Sequence, residues 1–214
     1  MERKADGVVA SIKQRFAKPI GVVWFSMIIS LFTLVAYHAP LFRYVGANVE
    51  SFWSGAIIVA SFVLLLIVVN FMIAMLLNYG MRIVGRAIIA LAIVANAAAL
   101  YFINSYQVLL TRDVMGNLFN TRPSEASGFI SLGMFLYILI LGVLPAIYIL
   151  WRKVDYGKVK PFLISIGSSL LAIILIAGVN INNVLWIDRN ATKIGSLILP
   201  WSYVANTVRH FHHQ

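Results

Sequence analysis

The sequence predicts an all-α membrane protein: five transmembrane helices with short interfacial helices on the outer side. Composition is the first observation. Of 214 residues, 61% are hydrophobic and 11% are charged, and the mean hydropathy is +0.90. An ordinary soluble domain is about 45–50% apolar and about 25% charged, so this chain needs a bilayer to cover its apolar surface. The second observation is that five long apolar stretches carry no Lys, Arg, Asp or Glu. The third is that the basic residues fall unevenly on the connections between those stretches.

Each element follows in chain order. Residues 1–19 form a basic leader with Arg3, Lys4, Lys13, Arg15 and Lys18. A bilayer core about 30 Å thick takes about 20 apolar helical residues. Ile20–Tyr37 meets that requirement, and no small-residue cleavage pattern follows it, so it reads as a retained signal anchor. Ser54–Leu77, Ala87–Ile103, Ser131–Leu150 and Phe162–Val179 complete the set, the last extending toward Leu185. The five-helix region is therefore 20–185. Trp53, Trp151 and Trp186 stand at stretch ends, where amphipathic rings favour the headgroup layer.

The leader, Arg82 and Arg86 on the second connection, and Arg152, Lys153, Lys158 and Lys160 on the fourth hold eleven of the 17 basic residues. The positive-inside rule places that side in the cytoplasm. The same asymmetry accounts for the formal net charge of +10 without nucleic acid as a partner. The N-terminus is then cytoplasmic and the C-terminus lies outside. Cysteine is absent, which leaves no disulfides or thiolate metal ligands.

The connections "YGMRIVGR" and "RKVDYGKVKP" are short and basic, while "HAPLFRYVGANVESFW" is longer and lies along the outer interface. The third connection, within residues 104–130, is both long and polar. Loops of such length in compact domains are functional or disordered, and Val108, Leu109, Leu110, Val114, Met115, Leu118 and Phe119 argue against disorder. Val114, Met115, Leu118 and Phe119 share a helical stripe. "NTRPSEA" then reads as a new helix start, with Asn120 or Thr121 capping and Pro123 in the first turn. The tail, 186–214, places Trp201, Val204, Ala205, Val208 and Phe211 at helical intervals, as in an amphipathic interfacial helix.

Asn117, Thr121 and Glu125 have the spacing N-x3-T-x3-E. An amide, a hydroxyl and a carboxylate brought to one bend can hold a small zwitterion: the carboxylate pairs an ammonium, and the others reach phosphate or ester oxygens. The simpler alternative is that Thr121 caps, Glu125 complements the helix dipole, and Asn117 faces water. Tyr106 is open in the same way, as an interface anchor or a ligand.

"YFINSYQVLL…MGNLFNTRPSEAS" resembles the periplasmic segment in the N-terminal membrane domain of lipid A phosphoethanolamine transferases, a family that includes the mobilised colistin-resistance enzymes. The five-helix layout and the tail "LPWSYVANTVRH" agree with it. The resemblance implies a domain of the bacterial inner membrane, which makes the outer helices and the C-terminus periplasmic. It implies that Asn117, Thr121 and Glu125, with Tyr106, contact the headgroup of phosphatidylethanolamine. The acceptor would be lipid A or a related envelope glycolipid. In that family a sulfatase-like catalytic domain follows the membrane domain, with a zinc ion and a threonine nucleophile. Here the chain stops at Gln214, so the expectation is that it holds no catalytic residue or cofactor and is inactive alone. Thr121 is not that nucleophile, since no nearby group could activate it.

The other candidates are weaker. "HFHH" (His210–His213) on one interfacial helix with no carboxylate is a poor metal site. Asn70 and Asn96 are expected to bond across helices. Ser168 and Ser169 have no base at their depth, and Pro145 is expected to kink the fourth helix. The rival reading is a free-standing five-helix scaffold or small transporter. Transporters place polar groups near the bilayer midplane, whereas this chain places its polar cluster outside.

Overall fold

A computed structural model describes residues 18–49, 51–111, 113, 114, 117 and 131–211. In chain order a two-residue strand β1 (Ile20–Gly21) leads into α1 (Val22–Tyr37), which is followed by α2 (Ala39–Asn48) and α3 (Phe52–Tyr106). Next come α4 (Leu132–Trp151), β2 (Val154–Asp155) and α5 (Val159–Val179). A 3-10 turn (Ile181–Asn183) then precedes α6 (Val184–Leu197) and α7 (Trp201–Phe211). Three of these, α3, α4 and α5, are long and apolar enough to cross a membrane, and α1 with α2 makes a fourth candidate bent by 59°.

The 55-residue α3 is two arms, not one rod. Arg82 breaks it with φ 43° and ψ −106°, a left-handed backbone that is rare outside glycine. Asn70 and Asn96 would stand about 39 Å apart on a straight helix at 1.5 Å per residue, yet both line one cavity. The chain therefore turns back on itself at Arg82. Gly85 makes the turn possible, because a Cβ there would lie 1.9 Å from the Leu77 carbonyl oxygen. With α3 divided at this point, five apolar arms result, as the five sequence stretches require. The third span starts at this turn, earlier than Ala87, and the fifth stops at Val179, where Asn180 caps it.

Packing follows from small polar residues as well as apolar ones. The buried stripe of α1 is Val22, Phe25, Ser26, Ile29, Ser30, Thr33 and Tyr37. Ser30 Oγ donates to the Ile67 carbonyl at 2.7 Å, and Asn78 Nδ2 donates to Ser26 Oγ at 3.2 Å. Small hydroxyl residues suit membrane interfaces because they let backbones approach and can bond across helices. The opposite face, with Trp24 and Val35, is exposed.

A π-helical turn at Leu139–Val143 interrupts the α-helical bonding of α4 just before Pro145. Proline has no N–H, so the Leu141 carbonyl four residues earlier loses its helical donor. The Tyr37 hydroxyl takes that place at 2.6 Å. Gly142 faces α3, where a Cβ would come within 3.1 Å of the Ala97 Cβ and 3.2 Å of the Val94 Cα. Pro145 and Gly142 together fix how α4 meets α3.

One end of the bundle gathers the basic connections. β1 pairs in parallel with β2, Arg86 Nη1 donates to the Arg152 carbonyl at 2.7 Å, and the Arg82 guanidinium lies 5.2 Å from the centre of the Tyr156 ring. At the other end Trp186 Nε1 donates to the Asn48 carbonyl at 3.0 Å, and the Tyr44 hydroxyl donates to Asn190 Oδ1.

Candidate functional site

Twenty residues of α3 separate Arg86 from Tyr106, about 30 Å of helix and the thickness of a bilayer core. With Arg86 at one membrane face, Tyr106 reaches the other. There α3 ends at Gln107, a left-handed cap with φ 54° whose Nε2 donates to the Asn104 carbonyl at 3.1 Å.

The polar connection leaves from this cap and returns at Ser131, the N-cap of α4, whose Oγ accepts from the Met134 N–H at 3.1 Å. The same oxygen lies 2.7 Å from the Tyr101 hydroxyl. The two ends of the polar segment are therefore pinned together. Around this clasp Tyr101 packs edge-on against Tyr106 and Tyr137, with centroids at 6.1 and 5.7 Å, and Phe102 stacks on Tyr106 at 5.7 Å. Asn104 links outward: its Nδ2 donates to the Tyr137 hydroxyl at 3.3 Å, and its Oδ1 accepts from Arg43 Nη2 at 2.9 Å. The rim thus combines one guanidinium, several hydroxyls and aromatic walls.

The sequence-derived candidates divide at this point. Tyr106 is at the rim, half exposed, with its ring held by Tyr101 and Phe102. Asn117 is helical and exposed, and Asp113, one turn before it, is exposed as well. Thr121 and Glu125 lie outside the described residues, as does the helix start expected at "NTRPSEA". The side chains of His210–His213 also lie outside them. Among the described residues no three His, Asp or Glu side chains stand close enough to share a metal ion.

Sequence reasoning missed Tyr101, Asn104, Ser131 and Arg43. Tyr101 and Ser131 flank the polar segment and Asn104 opens it, and their signal was only an ordinary helix end followed by an ordinary N-cap. Arg43 comes from a connection 60 residues away, and nothing local marks it.

The tail is a further anchor. Asn206 Nδ2 donates to the Leu110 carbonyl at 2.7 Å, at the start of the polar segment. One turn earlier the Tyr203 hydroxyl donates to Asn96 Oδ1 at 3.0 Å, and burial holds that phenol above its usual pKa range. Asn96 thus bonds across helices as expected. Asn70 does not, because its Nδ2 is buried with no partner among the described residues. Ser168 and Ser169 bond the Ser165 carbonyl of their own helix at 3.1 and 2.7 Å, a structural use of both hydroxyls.

Comparison with known proteins places this arrangement. A family model described as phosphoethanolamine transferase EptA/EptB matches residues 66–214. The chain is 33% identical over 205 residues to the phosphoethanolamine transferase EptA of Helicobacter pylori, covering 91% of this chain and 37% of that protein. It is 29% identical over 85 residues to the phosphatidylethanolamine transferase Mcr-2 of Escherichia coli, covering 40% of this chain and 15% of that one. Its fold matches the integral membrane lipooligosaccharide phosphoethanolamine transferase A of Neisseria meningitidis with a TM-score of 0.79 at 20% identity, over 92% of this chain and 37% of the other. The chain therefore spans little more than a third of the length of the first and last of these proteins.

Proposed function

The chain belongs to the EptA/EptB phosphoethanolamine transferase family, and from that membership we propose that it anchors such an enzyme in the bacterial inner membrane and holds its donor lipid. The donor is phosphatidylethanolamine, and the acceptor is lipid A or a related envelope glycolipid. The N-terminus is cytoplasmic, and the polar segment and the tail are periplasmic.

One observation carries the reading: the Tyr101–Ser131 hydrogen bond. It brings the two ends of the polar segment together at the end of the spans opposite Arg86, the depth where phospholipid headgroups lie in this reading. In the proposed site Glu125 pairs the ethanolammonium, and Asn117 and Thr121 bond the phosphate or ester oxygens. Tyr106 walls the pocket from the rim. These groups bind and orient the donor and do no bond-making.

Phosphoryl transfer needs a nucleophile and charge stabilisation. The resemblance assigns both to a zinc-dependent, sulfatase-like domain of the longer protein, where a threonine would carry the phosphoethanolamine as a covalent intermediate. Zinc belongs to that domain in this proposal, and no step is assigned to it within this chain.

The test uses the full-length protein and a fluorescent phosphatidylethanolamine donor. Glu125→Gln, Asn117→Ala and Thr121→Ala should each lower transfer, Glu125→Gln by about tenfold or more for loss of a charge-assisted bond, with membrane insertion unchanged. Full transfer in all three variants would remove the donor-site assignment. The rival transporter reading would require substrate movement across vesicles, which the donor reading does not produce.

A further inference from the structure

The basic end of the bundle is a built surface. Among the described residues, 18–21, 79–86 and 151–162 hold seven Lys and Arg and one carboxylate, that of Asp155. The positive-inside rule asks for basic residues on one side of the membrane, but it does not ask them to converge. Here they converge on the segment 152–156, which contains β2. The Ile20 N–H donates to the Lys153 carbonyl at 3.0 Å and β1 pairs with β2, so the chain that follows Lys18 is tied to this segment.

Side chains alternate along 152–156 as an extended backbone requires: Arg152, Val154 and Tyr156 are half-buried, and Lys153 and Asp155 are exposed. Two arginines from the α3 turn meet the segment at its two ends. Arg86 Nη1 donates to the Arg152 carbonyl at 2.7 Å, and the Arg82 guanidinium lies 5.2 Å from the centre of the Tyr156 ring. Four residues of extended chain cover about 13 Å, so these two meeting points lie no farther apart than that. Asp155 is on the opposite face, and its Oδ1 accepts from the Gly157 N–H at 3.0 Å. Phe162 stacks on Tyr79 at 4.4 Å, which sets the start of α5 beside the same turn. That helix begins with Lys158 as its N-cap and has no acid in its first turn, so the positive end of its dipole adds to the field. Like charges gathered beside hydrocarbon repel more strongly than in water, and an anion held among them offsets that repulsion.

Depth identifies the anion. Trp151 is 83% exposed and directly precedes Arg152, and Trp24, in the first turn of α1, is 70% exposed. Exposed indoles at the ends of apolar spans sit at the headgroup layer, so the basic segment lies level with lipid phosphates. Guanidinium groups match a phosphate in charge and in geometry. A zwitterionic headgroup would also bring its ammonium among these cations, whereas a glycerol headgroup brings only hydroxyls. Basic pockets between membrane helices are a known form of anionic-lipid site.

We propose that the α3 turn and the 152–156 segment form a binding site for the headgroup of an anionic phospholipid, with Arg82 and Arg86 as the cations that hold its phosphate. The site is at the end of the bundle opposite the polar segment and selects against the ammonium-bearing lipid proposed there. That this end faces the cytoplasm rests on the reading above; the chemistry of the site does not. No bond is made or broken in it.

The test is native mass spectrometry of the detergent-solubilised chain loaded with phosphatidylglycerol or phosphatidylcholine. The wild type should retain phosphatidylglycerol roughly tenfold better, since each basic residue near the headgroups is worth about fivefold. Arg82→Gly suits the positive φ at that position and so keeps the turn, and Arg86→Gln is the second variant. Each should lower phosphatidylglycerol retention about fivefold and leave phosphatidylcholine retention unchanged. Lys160→Gln removes an exposed charge from the same end and should change retention by less than about twofold. Equal retention of the two lipids by the wild type overturns the site, as does a preference unchanged in both arginine variants. A loss in Lys160→Gln as large as in Arg82→Gly also overturns it, because the attraction would then be diffuse. Displacement of the lipid by millimolar inorganic phosphate would reassign the site to a soluble anion. Failure of the donor reading in Glu125→Gln leaves these outcomes unmoved, so the two readings fall separately.

Discussion

The Tyr101 hydroxyl and Ser131 Oγ lie 2.7 Å apart across 30 residues of sequence, and this bond closes the polar segment at its two ends. Tyr101→Phe keeps the aromatic packing and removes the bond. It should destabilise the protein by only about 0.5–1.5 kcal/mol, but the segment 107–130 should exchange amide hydrogens faster than in the wild type. Exchange followed by mass spectrometry checks this, and an unchanged pattern would show that the segment is held by other contacts.

Gly85 and Leu77 make the sharpest test of the fold. Because a Cβ at Gly85 would lie 1.9 Å from backbone, no rotamer can relieve the clash. Gly85→Ala should lower thermal stability by more than about 3 kcal/mol or abolish folding in detergent. Gly80→Ala, where a Cβ meets nothing within 4 Å, is the control and should be nearly neutral.

Tyr37 and Pro145 are coupled through the Leu141 carbonyl. Tyr37→Phe strands that carbonyl and should cost about 1–2 kcal/mol. In a Pro145→Ala background the helix can supply its own N–H to Leu141, so the same change should cost less. A double-mutant cycle measures the difference. Equal costs in both backgrounds would mean that proline's missing donor is not what Tyr37 compensates.

Asn206→Ala removes the tail's hold on the Leu110 carbonyl. The expected outcome in the full-length protein is a several-fold rise in the donor KM with little change in kcat, because Asn206 positions the segment without touching the reacting atoms. A fall in kcat at constant KM would assign the tail a different part.

Much of the fold was legible in the sequence because the bilayer is an exacting solvent. Five charge-free apolar stretches and an uneven distribution of Lys and Arg suffice to count spans and to gather Arg82, Arg86 and Arg152 at one end. Pro145 could be read as a break in the bonding of the fourth helix, but Tyr37 could not be read as the donor to Leu141, since pairing across 104 residues has no local signal. The turn at Arg82 was hidden because "YGMRIVGR" has ordinary helix formers, and only tertiary packing forces Arg82 to positive φ. For the candidate site, Asn117, Thr121, Glu125 and Tyr106 were proposed because they share a polar stretch, and of these the described residues include Asn117 and Tyr106. Arg43, Asn104 and Ser131 were missed because helix ends look alike until they are brought together. The tail was read as an interfacial amphipath, and its periodicity could not reveal that Tyr203 reaches Asn96.

The most direct measurement is headgroup discrimination by this chain in nanodiscs: binding of short-chain phosphatidylethanolamine against phosphatidylcholine, wild type against Glu125→Gln. The expected result is that the wild type prefers phosphatidylethanolamine, whose ammonium can donate to a carboxylate, by about tenfold, and that Glu125→Gln binds both lipids alike. No preference in the wild type, or an undiminished preference in Glu125→Gln, would contradict the claim that the polar segment receives the donor headgroup.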